Sequence, residues 1–211
     1  EDGGVKSNST LVVGGGVIGL LGALELARAG ESVVLLERAE AGRESSWAGG
    51  GIVSPLYPWR YDAAVRALAC WSQHYYPQLA GGLRAATGVD PEVHVTGLYW
   101  LDLQDEAEAL EWARRESYGL RIVALEAVRE AIPPLGGGFN AVIYMPGVAN
   151  VRNPRLLKAL RAALQAMSNV TLLEHSEVQG FLCEDGRVAG VRVESGEIRA
   201  ARVVLSAGAW S

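Results

Sequence analysis

The hydrophobic pattern changes period within its first twenty residues. Thr10-Leu11-Val12-Val13 is a run of strand formers, Gly14-Gly15-Gly16 interrupts it, and from Val17 to Ala29 apolar positions recur every three to four residues. This predicts a strand, a glycine turn and a helix, with Gly30 where a left-handed residue suits the helix end. Ser32-Val33-Val34-Leu35-Leu36 is apolar on both faces, as a buried parallel strand is, and ends at Glu37. The three segments form one βαβ unit of about 30 residues.

The middle of the chain reads as α+β. Asp62 to about Leu83 is helical, with Ala64, Leu68, Trp71 and Tyr75 on one stripe; Pro77 breaks or bends it, and a further helix runs to Thr87-Gly88. Alternation from Val93 to Leu103 predicts a strand, and Asp105 to Glu116 a charged helix with a solvated face. Leu120 to Leu125 and Ala141 to Tyr144 are further strands, separated by the punctuated loop Ile132 to Gly138. Asn153 suits an N-cap and Pro154 the first turn of a helix burying Leu156, Leu157, Leu160, Ala163 and Leu164. Strands follow at 170–173, 177–183, 187–193 and 198–205, with Asp185-Gly186 and Ser195-Gly196 as hairpin turns. The last strand delivers a glycine turn only residues before Ser211, so a longer parent chain is expected.

Composition narrows the chemistry. Of 211 residues, 49% are hydrophobic and 20% charged, which suits a globular chain with a core. Nineteen Lys plus Arg against 24 Asp plus Glu, with the basic residues scattered singly, argue against a nucleic-acid partner. Cys70 and Cys183 show no CxxC spacing and His74, His94 and His175 no ligand spacing, so no metal is expected. Cys70 reads as a small core residue and His94 as a surface or satisfied side chain. The uncharged stretch Leu11 to Leu24 falls short of the roughly 20 apolar residues of a membrane span. Residues 1–9 read as a leader or tag unlike a secretory signal, and the cytoplasm is the expected compartment. Tyr57, Trp59 and Tyr61 could line an entrance, but packing is the simpler reading.

Gly14-x-Gly16-x-x-Gly19 gains meaning from its place between strand and helix and from Glu37 about 20 residues on. Gly14 permits the tight turn, Gly16 the approach of backbone N–H groups to a pyrophosphate, and Gly19 close helix packing, while Glu37 accepts from ribose hydroxyls. A carboxylate there repels a 2′-phosphate, leaving FAD or NAD rather than NADP. Ser45 and Ser46, followed by Gly49-Gly50-Gly51, add hydroxyls for phosphate oxygens and bare backbone for a flat ring.

Four segments, GGGVIGLLGALELARAG, VVLLERAEAGRESSWAGGGIVSPLYPWRY, GVANVRNPRLLKAL and VVLSAGAWS, together resemble the D-amino-acid oxidase superfamily of flavoproteins, nearest its glycine oxidase branch linked to thiamine biosynthesis. The resemblance runs from Thr10 to Ser211. It implies an α/β fold with a discontinuous Rossmann-like FAD-binding domain over 10–87 and 148–211. Residues 88–147 then begin a mixed α+β substrate domain, and the C-terminal part is missing. It implies FAD contacts by Val17, Ile18, Glu37 and Arg38 beside the glycine turn, and by Ser45 and Ser46 near the diphosphate. Gly50, Gly51 and Ile52 match the stretch beside the isoalloxazine, Val178 a backbone position near adenine, and Ala207 and Gly208 a turn near the cofactor's middle. Trp47 departs from the small residue often found there.

The implied reaction is oxidative deamination of glycine and related small amines or D-amino acids, with dioxygen as acceptor and hydrogen peroxide as product. No catalytic residue is assigned, because the cofactor carries that chemistry and the family's carboxylate-binding arginine falls beyond Ser211. The chain alone is therefore expected to turn over poorly. A homo-oligomer is a further implication. Sarcosine oxidase, D-amino-acid dehydrogenase, the oxidoreductase part of a tRNA-modifying enzyme and a noncatalytic dinucleotide-binding module remain alternatives, with an NAD-dependent dehydrogenase last.

Overall fold

A computed structural model describes residues 9–211, so the leader expected at the N-terminus lies, apart from Ser9, outside the described residues. In chain order the elements begin β1 (Thr10–Val13), α1 (Val17–Arg28), β2 (Val33–Leu36), α2 (Ser45–Ala48), β3 (Ile52–Val53) and α3 (Ala63–Thr87). There follow β4 (His94–Val95), β5 (Leu98–Leu101), α4 (Glu106–Arg115), β6 (Arg121–Ile122), α5 (Leu125–Ala131), β7 (Val142–Met145) and β8 (Ala149–Asn150). The last are α6 (Asn153–Gln165), β9 (Val170–Leu173), β10 (Gly180–Glu184), β11 (Arg187–Val193), β12 (Gly196–Arg199) and β13 (Arg202–Leu205).

The chain folds as two compact units. The first comprises the described residues through Gly50, Gly81–Pro91 and Arg152–Ser211. Its centre is a parallel sheet in the order β13-β1-β2-β9, with Thr10 opposite both Arg202 and Val33. Every residue of β1 and β2 is buried, as their two-sided apolar sequences require. Leu11, Val13, Val34 and Leu36 pack on Val191 and Val193 of the antiparallel meander β10-β11-β12. By alternation the other face is left to α1 and α6, which pack on each other through buried residues such as Leu20, Leu24 and Leu160. Helix α1 stops at Arg28, and Gly30 takes the left-handed conformation (φ +89°) that closes it.

Two sequence expectations change here. Residues 198–205 are not one strand: the chain leaves the meander after Arg199 and re-enters the parallel sheet at Arg202. The Ala200 N–H bonds the Ala189 carbonyl and the Ala201 N–H the Ser9 carbonyl, so the ladder changes partner there. Asn153 opens α6 rather than capping it. Arg152 stands at the cap position and its side chain does not cap the helix, and the Asn153 amide donates to the Gly49 carbonyl.

The second unit comprises Gly51–Ala80 and Glu92–Val151. It holds two small sheets, β3-β8-β4 and β5-β7-β6, around a core of Trp59, Trp112, Ile143 and Met145, with Tyr57 and Trp100 packed against it. Helix α3 is continuous through Pro77, because one missing backbone N–H is not enough to end a 25-residue helix. The strand expected at 93–103 divides at Gly97 (φ +73°), and Leu120 to Leu125 yields only β6 before the unforeseen helix α5. Helix α4 is not simply solvated: Ala109, Trp112 and Ala113 are buried. Cys70 is only half-buried and His94 is exposed. Among the described residues no cluster of His, Cys, Asp and Glu could hold a metal ion, and no helix is long and apolar enough to cross a membrane.

Candidate functional site

The site is built where β1 gives way to α1. Gly14 has φ +106°, and a Cβ there would come 2.7 Å from the Ser206 carbonyl carbon and 2.9 Å from the Ala207 Cα. Only glycine lets this turn lie directly on the segment leaving β13. Gly19 packs behind it: its Cβ would overlap the Gly14 carbonyl oxygen and come 2.8 Å from Ser206 Oγ. The pairing is fixed by strand register, with the Ser206 N–H donating to the Val13 carbonyl and the Gly14 N–H to the Leu36 carbonyl, both at 2.8 Å.

Two side chains hold the turn. Glu37, just past the end of β2, accepts the Gly15 N–H on Oε2 at 2.7 Å and the Ala39 N–H on Oε1 at 3.0 Å. An ionised carboxylate has about four acceptor sites, so lone pairs remain beyond these two bonds. Ser46, on the short helix α2, accepts the Val17 N–H at 2.9 Å. The first turn of α1 carries no acidic residue, and its Gly16 cap has no side-chain bond, which leaves the positive end of the helix dipole to an outside anion.

These groups border a cleft of about 550 Å³. Of the residues singled out by sequence, Gly14, Gly16, Val17, Ile18, Glu37, Arg38, Ser45, Ser46, Val178, Ala207 and Gly208 line it. Gly19 supports it by packing. Gly50, Gly51 and Ile52 do not line it: nothing lies within 4 Å of a Cβ at Gly50, the Gly51 carbonyl accepts the Val151 N–H, and Ile52 pairs with Asn150 in the second unit. Ile18 is 70% exposed, an apolar side chain open to the cleft at the first turn of α1.

The cleft also gathers residues that sequence reasoning missed. Arg38 donates to Glu44 at 2.6 Å, and its guanidinium carbon lies 4.1 Å from the centre of the Trp210 ring. The bond to Glu44 raises Arg38 above its ordinary value. Glu177, Phe181 and Ser206 join the lining through the meander and β13, placements that no local spacing announces. Around the β1–α1 turn the donors are a glycine turn, a helix N-terminus and hydroxyls, and the carboxylate beside them is Glu37 at a strand end. Such a set suits an anionic diphosphate joined to a ribose.

Glycine oxidase from Pseudomonas putida is 63% identical over 205 residues, 97% of this chain and 56% of its own length. Glycine oxidase from Pseudomonas aeruginosa is 59% identical with the same coverage. In three dimensions the chain is similar to glycine oxidase from Bacillus cereus, with a TM-score of 0.86 at 30% identity, covering 96% of this chain and 56% of that one. The chain thus spans about half the length of the curated relatives it matches. Residues 9–211 match the family described as FAD dependent oxidoreductase, so the glycine turn, Glu37 and the parallel sheet that carries them all fall inside the match, and the chain belongs to that family.

Proposed function

We propose that this chain carries most of the FAD site, and the beginning of the substrate domain, of an oxidase acting on glycine and related small amines or D-amino acids. The observation that carries the reading is the convergence of the Gly14–Gly16 turn, Glu37 and Ser46 on one cleft, with Ser206 and Ala207 packed so closely behind Gly14 that a Cβ cannot enter. FAD fits this donor set and is the cofactor that the family's description names.

When bound, FAD supplies the two-electron acceptor for hydride from the α-carbon of the amine and returns the electrons to dioxygen. For glycine the balance is glycine plus dioxygen plus water giving glyoxylate, ammonia and hydrogen peroxide. The chain's own residues bind and orient. The N-terminus of α1, with Gly16, Val17 and Ile18, would hold the diphosphate, with the hydroxyls of Ser45 and Ser46 beside it. Glu37 would accept from ribose hydroxyls with the lone pairs left by Gly15 and Ala39, and its charge would turn away a 2′-phosphate. Arg38 and Val178 would hold the adenosine side, and Ala207 and Gly208 the middle of the cofactor. Gly50, Gly51 and Ile52 are assigned to the ring side on resemblance alone.

The test is a visible spectrum of the full-length parent, recorded anaerobically before and after glycine, followed by peroxide detection in air. Bound flavin that glycine bleaches, with peroxide on re-aeration, is the expected result. Bound flavin indifferent to glycine, sarcosine and D-alanine would make the protein a dinucleotide binder. Electron delivery to an artificial acceptor without peroxide would make it a dehydrogenase.

A further inference from the structure

The wall formed by residues 40–49 has little regular structure beyond α2, yet it must hold Ser46 against the first turn of α1. Its support comes from one stripe of α6, where Asn153, Leu157 and Arg161 are spaced four residues apart and so face one way. The Asn153 amide donates to the Gly49 carbonyl at 2.9 Å. Leu157 presses on Gly42, where φ is +80° and a Cβ would come 3.0 Å from that of Leu157. Arg161 donates through Nη1 to Glu40 at 3.0 Å and through Nη2 to Glu174 at 2.9 Å, and Glu174 accepts the Ala41 N–H at 2.7 Å. The Arg161 side chain is three-quarters buried, and its Nε is buried with no hydrogen-bond partner among the described residues. A cation desolvated to this degree needs well-placed carboxylates, so the geometry of the pair is specific rather than incidental.

We propose that Arg161 is a positioning residue for the dinucleotide: through Glu40 and Glu174 it fixes the 40–49 wall, and with it the Ser46 hydroxyl that holds the Val17 N–H. This rests on the FAD reading above.

The experiment uses the full-length protein stripped of flavin. FAD is titrated back by fluorescence into wild type, Arg161→Gln, Arg161→Lys, Glu40→Gln and the Arg161→Gln/Glu40→Gln pair, and amide exchange is followed in the peptide containing Val17. Arg161→Gln is expected to weaken FAD about tenfold, the scale on which outer-layer partners tune other bound groups, and to speed exchange at Val17. Arg161→Lys recovers part of the loss. The double variant loses less than the two single losses added, because both changes break the Arg161–Glu40 pair, while Glu40→Gln also gives up its bond from Arg43 at 2.9 Å. Glu40→Gln changes a partly exposed partner, so it reads the link even if Arg161→Gln does not fold. Unchanged FAD affinity and unchanged Val17 exchange in Arg161→Gln, or strictly additive losses in the double variant, would overturn the proposal. Wild type that takes up no FAD would overturn the cofactor reading instead, and the exchange measurement would still decide whether Arg161 holds the wall.

Discussion

The two units differ in what their cores are made of. In the first, β1 and β2 are buried residue by residue, and backbones come into tight contact at Gly14, Gly19 and Gly190. In the second, β4 and β6 are exposed, β5 is half-buried, and the interior is built of large rings: Tyr57 lies 4.3 Å from Trp100 centre to centre, Trp59 6.2 Å from Trp112, and Trp112 5.1 Å from Tyr118. Among the described residues, the indole N–H groups of Trp100 and Trp112 are buried there without a partner. The first unit's glycine turn is therefore intolerant of added atoms and the second unit's ring cluster of removed ones. That contrast is physical: backbone carbonyls cannot move aside, whereas a ring cluster loses contacts on every side when one ring goes.

The sharpest break of the comparison is Trp112→Ala. Trp112 is 3% exposed at the centre of its cluster, and truncation should cost about 4 kcal/mol of stability, read by denaturant unfolding. Trp112→Phe should cost less than half as much, since it keeps a ring and removes an unpartnered N–H. Equal losses for the two would show that ring volume is not what the second unit depends on.

Next in size is Gly19→Ala. Its methyl would overlap the Gly14 carbonyl oxygen, and neither that backbone atom nor Ser206 can yield without opening the β1–α1 turn. A loss of about 3 kcal/mol is expected, together with weaker FAD binding by titration. Normal stability and normal FAD affinity would mean that the turn is looser than its packing implies.

The turn is also the part of the molecule most legible in sequence. Gly14, Gly16, Gly19 and Glu37 work through local geometry, and local geometry leaves a local spacing. What sequence reasoning missed was decided at long range. Asn153 looks like a cap, but the Gly49 carbonyl, more than 100 residues away, takes its amide. The run from Ile198 to Leu205 contains no glycine, proline or other turn residue, so nothing local marks the change of sheet at Ala200 and Ala201. Helix α5 has seven residues with Val128 as its buried position, too little to show a 3.6-residue period. Glu44, Glu177 and Phe181 reach the cleft only through tertiary folding, and the Gly51–Ile52 segment is drawn into pairing with β8.

Asp105 offers a smaller, pH-dependent test within the second unit. Its carboxylate accepts from Arg60 Nε and Nη2 at 2.8 Å each and from the Trp59 indole N–H at 2.6 Å, which explains why it leaves α4 uncapped. The bonds from Arg60 and then Trp59 hold Asp105 well below the usual carboxylate range. A depressed value means that the stabilisation is full above the unfolded aspartate's pKa and is lost as pH falls through the folded one. Asp105→Asn should cost about 1 kcal/mol at pH 7, kept modest because Arg60 is half exposed. In melting experiments the gap to wild type should hold down to about pH 4 and narrow steadily below it. A gap that stayed constant into strong acid would assign the effect to shape rather than charge.

The smallest effect has the opposite sign and isolates what is special about the motif glycines. Gly22 lies on the same helix as Gly19, one turn further on, yet nothing stands within 4 Å of a Cβ placed there. Its place in the helix interior brings the cost of glycine without the benefit of close approach. Gly22→Ala should therefore raise stability by about 0.5–1 kcal/mol, visible as a higher melting temperature, with FAD affinity unchanged. Gly22 lies three positions after Gly19 and their helical propensities are the same, so opposite signs at the two would trace the difference to the close approach of the Gly14 carbonyl and Ser206. If Gly22→Ala destabilised as Gly19→Ala does, the sensitivity would belong to the whole helix, and the first unit's intolerance of added atoms would not be confined to the turn that faces the cleft.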